Sequence, residues 1–404
     1  MTSVSHKEQI LPVPGLRLAA GTAGIYADAR DDLALFELSA GAITAAVFTS
    51  NKFVAAPVII AGENLHTRQP AYLLVNAGNA NAGTGERGIA DAREVCDALA
   101  QLADTEAAAI LPFSTGVIGE YLPKEKIISQ LPELLAGLNE DNWSACAGAI
   151  MTTDTRIKCC SEQLQLDGKP VTITGIAKGA GMIKPDMATM LAFIATDAVI
   201  ADDTLQPILR RSVDRSFNRI CVDGDTSTND ACVLIATNKA GNTGIDSDHP
   251  QLDIFEDAIQ RVCLHLAQAI IRDAEGATKF VSIEIAAGRS EQECQALGFL
   301  LATSPLVKTA LYASDPNWGR ILAVVGRADI DDLDIRQVRI YLNDVCIVEA
   351  GGRSESYTEA QGLKVMQGQE ISIRVELGRG DCNGQVWTCD LSGDYVTLNA
   401  EYRS

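Results

Sequence analysis

The apolar positions fall into short blocks whose period changes repeatedly along the chain. Residues 33–53 read LALFELS and then AITAAVFTSNKF. That alternating pattern, broken at Gly41, predicts a β-hairpin. AYLLVN (71–76) reads as a buried strand running into AGNANAGTG, a loop of small residues. A helix is expected next, with Ile89, Val95 and Leu99 on one face and Asp91, Arg93 and Asp97 toward the other. ILPFSTGVIGEYLP (110–123) predicts a strand entering a glycine-bearing turn, and residues 124–138 a helix. Residues 169–200 read strand, tight Gly/Pro loop, strand. Residues 203–219 look helical, and 219–238 read strand, polar loop, strand. Residues 250–275 carry an amphipathic helix with Phe255, Ile259, Val262, Leu266 and Ile270 on one face, stopped near Gly276. KFVSIEIAAG is a strand, 305–314 a helix, and the remainder alternates like antiparallel β. The arm before Gly15 reads as loosely ordered. Strand–loop–strand units outnumber clean βαβ units, which predicts an α/β fold with antiparallel character.

Composition narrows the function. The 404 residues are 47% apolar and 21% charged, enough for a large core in two lobes or one large α/β unit. Fifty-three acidic against 33 basic side chains give a net charge of −20, which repels phosphate backbones and argues against general nucleic-acid binding. The eleven cysteines are scattered, with Cys159 and Cys160 adjacent and no Cys-x-x-Cys. Neither a disulfide framework nor a zinc cluster is indicated, and a reducing, cytoplasmic setting is expected. The four histidines are not spaced as a metal pair. The first fifteen residues have no apolar core of signal-peptide length, and no apolar stretch reaches the ~18 residues of a membrane span.

KGAGMIKPDMATML (178–191) is the most informative segment. Two glycines, a proline and an Asp precede Ala188-Thr189, where an apolar strand begins. A Thr hydroxyl is a weak nucleophile without a base beside it. Scission of the Ala188–Thr189 bond would free an α-amine on the same residue, and such an amine titrates near ~7.7–8, suited to general-base work at neutral pH. On pattern alone Thr189 reads first as a strand residue after a turn, and only second as a nucleophile. The segment lacks G-x-x-x-x-G-K-[ST] and precedes a strand, so a phosphate-binding loop is disfavoured.

Three further elements stand out. Ser114-Thr115-Gly116 follows a strand; a Thr hydroxyl and a neighbouring glycine N–H would supply two donors to a tetrahedral oxyanion, and by itself the tripeptide is also a turn signal. DGDTSTND (223–230) fails as a calcium loop, with Thr228 in place of the sixth-position Gly and Leu234 in place of the twelfth-position Glu. A network of Asx- and Ser/Thr-type bonds is expected there instead. Glu275, at the end of the long helix, sits where the macrodipole disfavours a carboxylate, so it reads either as a surface acid or as a cation binder.

KGAGMIKPDMATML, VNAGNANAGTG, STGVIG, DGDTSTND, DPNWGR and the C-terminal DYVTLNAEYRS occur in one order along nearly the whole chain. Together they resemble the ornithine acetyltransferase (glutamate N-acetyltransferase) family of the arginine pathway. The resemblance implies a precursor that cleaves itself into an α piece (1–188) and a β piece (189–404). It implies a layered α/β sandwich, similar to N-terminal-nucleophile hydrolases but connected differently, and an α2β2 assembly. It implies Thr189 as the acetyl-carrying nucleophile, Thr115 and Gly116 as the oxyanion hole, and Thr152, Lys178, Thr189, Glu275, Asn399 and Ser404 as substrate contacts. The implied substrates are N2-acetylornithine and glutamate, with no metal or redox cofactor; some members also take acetyl-CoA, and no residue here decides that point. Ala180 and Asp186 replace a more usual Ser and Asn, Ala77 stands where Ser is common, and Ser404 replaces a terminal Thr. The competing readings are a self-processing amidohydrolase or aminopeptidase, and an uncut binding or scaffold protein.

Overall fold

The computed structural model describes residues 10–184 and 190–401. These divide into two compact units: residues 10–179, 190–218 and 225–270 in the first, and 180–184, 219–224 and 271–401 in the second.

The first unit is a sandwich of two sheets. One has four strands in the order Leu16–Gly21, Leu33–Leu38, Tyr72–Asn79, Ile110–Val117. The other has five, in the order Ile43–Phe48, Ala231–Ala236, Leu191–Thr196, Lys169–Lys178, Lys158–Leu166. Strand alternation sorts the side chains into layers. Ala34, Phe36, Leu73, Val75, Leu111 and Phe113 of the first sheet meet Leu191, Phe193, Val233 and Ile235 of the second in one core. Phe193 packs against Phe36 at 4.9 Å and edge-on against Phe113 at 5.2 Å between ring centroids, contacts worth about 0.5–1.5 kcal/mol each beyond their burial. The intervening residues Leu33, Leu35, Tyr72 and Leu74 face outward and are covered by Val95 and Leu99 of helix Gly85–Leu102 and by Ile127 and Leu131 of helix Lys124–Ala136. Behind the second sheet lies helix Leu252–Arg272, whose Val262 and Leu266 press so closely on Gly175 that a Cβ there would stand 2.9 Å from Leu266. The layered α/β class predicted from the sequence is therefore the class adopted.

The expected hairpin at 33–53 does not form. Both strands exist, but Leu33–Leu38 pairs antiparallel with Leu16–Gly21 and Tyr72–Asn79, whereas Ile43–Phe48 pairs with Ala231–Ala236 in the facing sheet. With both edges of the first strand occupied, the second crosses to the other layer. Of the arm predicted to be loose, residues 1–9 lie outside the described residues and residues 10–15 are pinned: Ser161 Oγ accepts the Leu11 amide, Thr174 Oγ1 donates to the Leu11 carbonyl, and Val13 is buried. Asp91, expected toward the polar face, is buried and paired with Lys124 at 2.8 Å.

The second unit carries a seven-stranded sheet, ordered Gly352–Arg353, Val345–Glu349, Arg339–Leu342, Glu370–Glu376, Phe280–Gly288, Cys382–Cys389, Ile220–Cys221. Two of its pairings, Phe280–Gly288 with Glu370–Glu376 and Cys382–Cys389 with Ile220–Cys221, are parallel, so the purely antiparallel expectation for the C-terminal third is corrected. Helices Glu291–Ala302, Trp318–Gly326, Glu359–Met366 and Gly393–Ala400, also unforeseen, join the expected Pro305–Tyr312. Leu297, Leu301, Val307, Leu311 and Val324 seal one core against Ile283, Ile340 and Ile373. Among the described residues no single helix is long and apolar enough to cross a membrane.

Candidate active site

Ser114, Thr115 and Gly116 do not form a turn after a strand; they are its last residues but one, inside Ile110–Val117. That strand runs parallel to Tyr72–Asn79, and the register slips at Gly78/Asn79 opposite Thr115–Val117. The slip brings two backbones together. Gly116 sits at φ +131°, and a Cβ on it would overlap the Gly78 carbonyl carbon and the Asn79 nitrogen. Only glycine is compatible with both the angle and the approach.

Thr115 is buried, and its hydroxyl oxygen accepts a hydrogen bond of 3.0 Å from Lys178 Nζ. A hydroxyl that accepts from an ammonium keeps its own proton to donate, and the ammonium polarises that proton. The arrangement is thus a donor with a fixed direction. Lys178 ends strand Lys169–Lys178 and is paired across the ladder with Leu191, the first residue of the next strand.

Sequence reasoning missed the group that compensates Lys178. Asp154 is buried, and its Oδ1 accepts from Lys158 Nζ at 2.5 Å and from the Gly179 amide at 2.7 Å. Its Oδ2 accepts the Thr152 amide at 3.1 Å, which fixes Thr152 beside the cluster. Burial pushes the Asp154 carboxyl upward, but Lys178, Lys158 and the Gly179 amide together hold it below the ordinary carboxylate range. A sequence signal existed: TTDT (152–155) is a run of turn-forming polar residues wedged between apolar segments.

DGDTSTND forms the predicted polar network. Ser227 Oγ accepts the Asn229 amide at 3.1 Å, Thr228 Oγ1 donates to Asn229 Oδ1 at 2.6 Å, and Thr49 Oγ1 donates to the Ser227 carbonyl at 2.7 Å. Its first residue, Asp223, lies in the second unit and accepts the Met182 amide at 2.7 Å and the Ile183 amide at 3.0 Å. Those bonds hold Met182 at φ +55°, a left-handed angle that is costly for a long side chain.

Glu275 is not in the last turn of the long helix, which ends at Arg272; the macrodipole argument therefore loses its footing. The carboxylate is half-buried, bonded by Asn399 Nδ2 at 2.7 Å, and laid against Gly181, where a Cβ would stand 2.5 Å from Glu275 Oε2. Thr115, Gly116, Thr152 and Lys178 are brought together in the first unit, and Glu275 and Asn399 in the second. Ala188, Thr189 and Ser404 lie outside the described residues. Among the described residues no group of three or more His, Cys, Asp or Glu side chains could hold a metal ion. All eleven cysteines are reduced, none of them in a disulfide, and burial pushes Cys96 and Cys221 up to about 12.

Preorganised donors of this kind serve acyl transfer, where charge builds on a carbonyl oxygen. Comparison with known proteins agrees on the class and narrows it. The ArgJ family model matches residues 17–404. The chain is 54% identical over 396 residues to the "arginine biosynthesis bifunctional protein ArgJ" of Methylococcus capsulatus, covering 98% of this chain and 97% of that one. It is 53% identical over 394 residues to the protein of the same name in Pseudomonas fluorescens, covering 97% of each. A crystal structure of the arginine biosynthesis bifunctional protein from Bacillus halodurans aligns at 35% identity with TM-score 0.49, covering 51% of this chain and 96% of that chain. The chain belongs to the ArgJ family.

Proposed function

We propose that the chain is the glutamate N-acetyltransferase of arginine biosynthesis, working by acyl transfer through Thr189. The observation that carries the reading is the buried Lys178–Thr115 bond at 3.0 Å beside the strained Gly116. It prepares an oxyanion donor next to the strand that follows Thr189.

The chemistry runs twice on the same atoms. In maturation the Thr189 hydroxyl attacks the Ala188 carbonyl, the peptide C–N bond breaks, and the hydroxyl proton passes to the departing α-nitrogen. Water hydrolyses the resulting ester, leaving residues 1–188 with a terminal carboxylate and Thr189 with a free amine. In turnover that amine takes the hydroxyl proton as Thr189 attacks the acetamide carbonyl of N2-acetylornithine. Thr115 Oγ1–H and the Gly116 N–H stabilise the oxyanion. Ornithine leaves with the proton, and the amine of glutamate then takes the acetyl group from the Thr189 ester, regenerating the hydroxyl. Glu275, held by Asn399, suits the side-chain ammonium of ornithine. Thr152, Lys178 and Ser404 are assigned to substrate contact on the family resemblance, Lys178 also orienting Thr115. No step calls for a resident metal or redox cofactor.

The relatives named bifunctional support acetyl-CoA as a second donor for the same ester. We place the enzyme in the cytoplasm, where eleven cysteines outside any disulfide stay reduced, as an α2β2 assembly of its own cleaved pieces. The test is direct. Purified protein should give two bands on a denaturing gel, an N-terminal sequence beginning at Thr189, and acetyl transfer from N2-acetylornithine and from acetyl-CoA to glutamate. A single full-length band in active material, or release of free acetate in place of transfer, overturns the assignment.

A further inference from the structure

The mechanism leaves the last two residues of DGDTSTND, Asn229 and Asp230, without a task. Both are buried, and both lie in the first unit. Their partners are unusual for a surface turn. Asn229 Nδ2 donates to the Ser114 carbonyl at 2.9 Å and to the Ala80 carbonyl at 2.6 Å. The Ser114 carbonyl belongs to the peptide that carries the Thr115 N–H, so one amide group ties the oxyanion strand to the loop after its parallel neighbour.

Asp230 grips the other side. Its carboxyl group accepts the Met190 amide and the Ser227 hydroxyl, while the next amide, that of Ala231, donates to the Met190 carbonyl at 3.2 Å. Met190 is therefore held at both ends by consecutive groups of the turn, and it is the residue directly after Thr189. The ladder repeats the point: Ala231 pairs in parallel with Leu191, which Lys178 flanks from the opposite strand. Asp230 Oδ2 has no hydrogen-bond partner among the described residues. An orphaned oxygen on a wholly buried carboxyl is costly and asks for a reason. Burial drives this carboxyl above its ordinary range, with Lys178, the Met190 amide and the Ser227 hydroxyl opposing the shift.

We infer that Asn229 and Asp230 form a two-sided positioning device, Asn229 fixing the oxyanion strand through Ser114 and Asp230 fixing the nucleophile through Met190. The inference rests on the acyl-transfer reading above. Neither residue need touch substrate; together they set the separation between nucleophile and oxyanion donors. Such separations control rate steeply.

The test compares Asp230→Ala, Asp230→Asn and Asn229→Ala with the wild type in steady-state acetyl transfer from N2-acetylornithine to glutamate, with melting temperature and cleavage on a denaturing gel measured in parallel. Asp230→Ala should lower kcat about 10–100-fold with KM for both substrates nearly unchanged, and should slow self-cleavage. Asp230→Asn keeps the shape and an acceptor for the Met190 amide, so it should recover most of that loss. Asn229→Ala should reproduce the kcat loss from the oxyanion side, and it keeps the test alive if Asp230→Ala fails to fold. The inference is overturned if folded variants keep wild-type kcat and cleavage while only the melting temperature falls, or if Asp230→Asn is as damaged as Asp230→Ala. Wild-type protein that does not acetylate glutamate breaks the acyl-transfer reading instead, and the cleavage rates of the variants still measure the positioning effect.

Discussion

The polar groups around Lys178 are dry, whereas those around Glu275 stand half in water. Lys178, Asp154, Lys158, Thr115 and Asp230 are all less than a tenth exposed. Glu275 is half-buried and its partner Asn399 is exposed. The difference fits the division of labour proposed above. Stabilising a transient charge needs fixed dipoles in a medium of low polarity, where each is worth several times its value in water. Recognising a cation that arrives from solvent tolerates a wet carboxylate, because the ligand brings its own hydration to exchange. Within the dry group the two carboxyls diverge further. Asp154, faced by Lys178 and by Lys158 and bonded by the Gly179 amide, stays below the ordinary range, and Asp230, at which burial outweighs a single nearby lysine, is driven above it. Burial alone does not set the direction; the neighbouring charges and the hydrogen bonds that oppose it do.

The sharpest break of the contrast is Thr189→Ala, which should give one full-length mass and a loss of transfer of about 10⁴-fold or more. Asp154→Ala comes next. It removes the carboxylate that two buried lysines face and should cost about 3–5 kcal/mol of stability in denaturant unfolding at pH 7. The same carboxylate predicts an acid limb in the wild type. Its pKa is lower folded than unfolded, so its stabilisation is complete above about pH 4 and fades as pH falls through the lowered folded value. Folded Asp154→Asn should show a flatter decline between pH 5 and pH 2. Thr115→Ala should lower kcat about 10²–10³-fold with KM little changed, read by steady-state kinetics. Glu275→Gln should do the reverse and least: KM for N2-acetylornithine up about five- to tenfold with kcat nearly kept, as expected for a half-solvated pair. If Glu275→Gln instead cuts kcat as Thr115→Ala does, the dry and wet regions do not divide the work in this way.

Much of the scaffold was legible in the sequence because its signals are local. The helices at 85–102, 124–136 and 252–272 announce themselves by a 3.6-residue period, and Gly175-bearing strand Lys169–Lys178 by its apolar run. Helix Ala56–Thr67 was missed because PVII is a continuous apolar block that reads equally as strand; its cue was the proline in the first turn. Helix Gly393–Ala400 was missed because it buries no side chain, and its cue was the Ser392 cap. The false hairpin at 33–53 has a different cause. Alternation reports that a strand has two faces and says nothing of which strand lies at its edge. The candidate site divides the same way. Thr115 and Gly116 announced themselves as a small-residue element beside a strand. Asp154 did not, since its role exists only once residues 154, 158 and 178 meet.

The order of the five-stranded sheet has a practical corollary. Its second and third strands, Ala231–Ala236 and Leu191–Thr196, come from after Thr189, and the strands on either side, Ile43–Phe48 and Lys169–Lys178, come from before it. Scission at 188/189 would therefore leave two polypeptides woven through one another, each supplying neighbours the other cannot do without. They should travel as one species through any native column and part only when the backbone ladder itself is dissolved by denaturant.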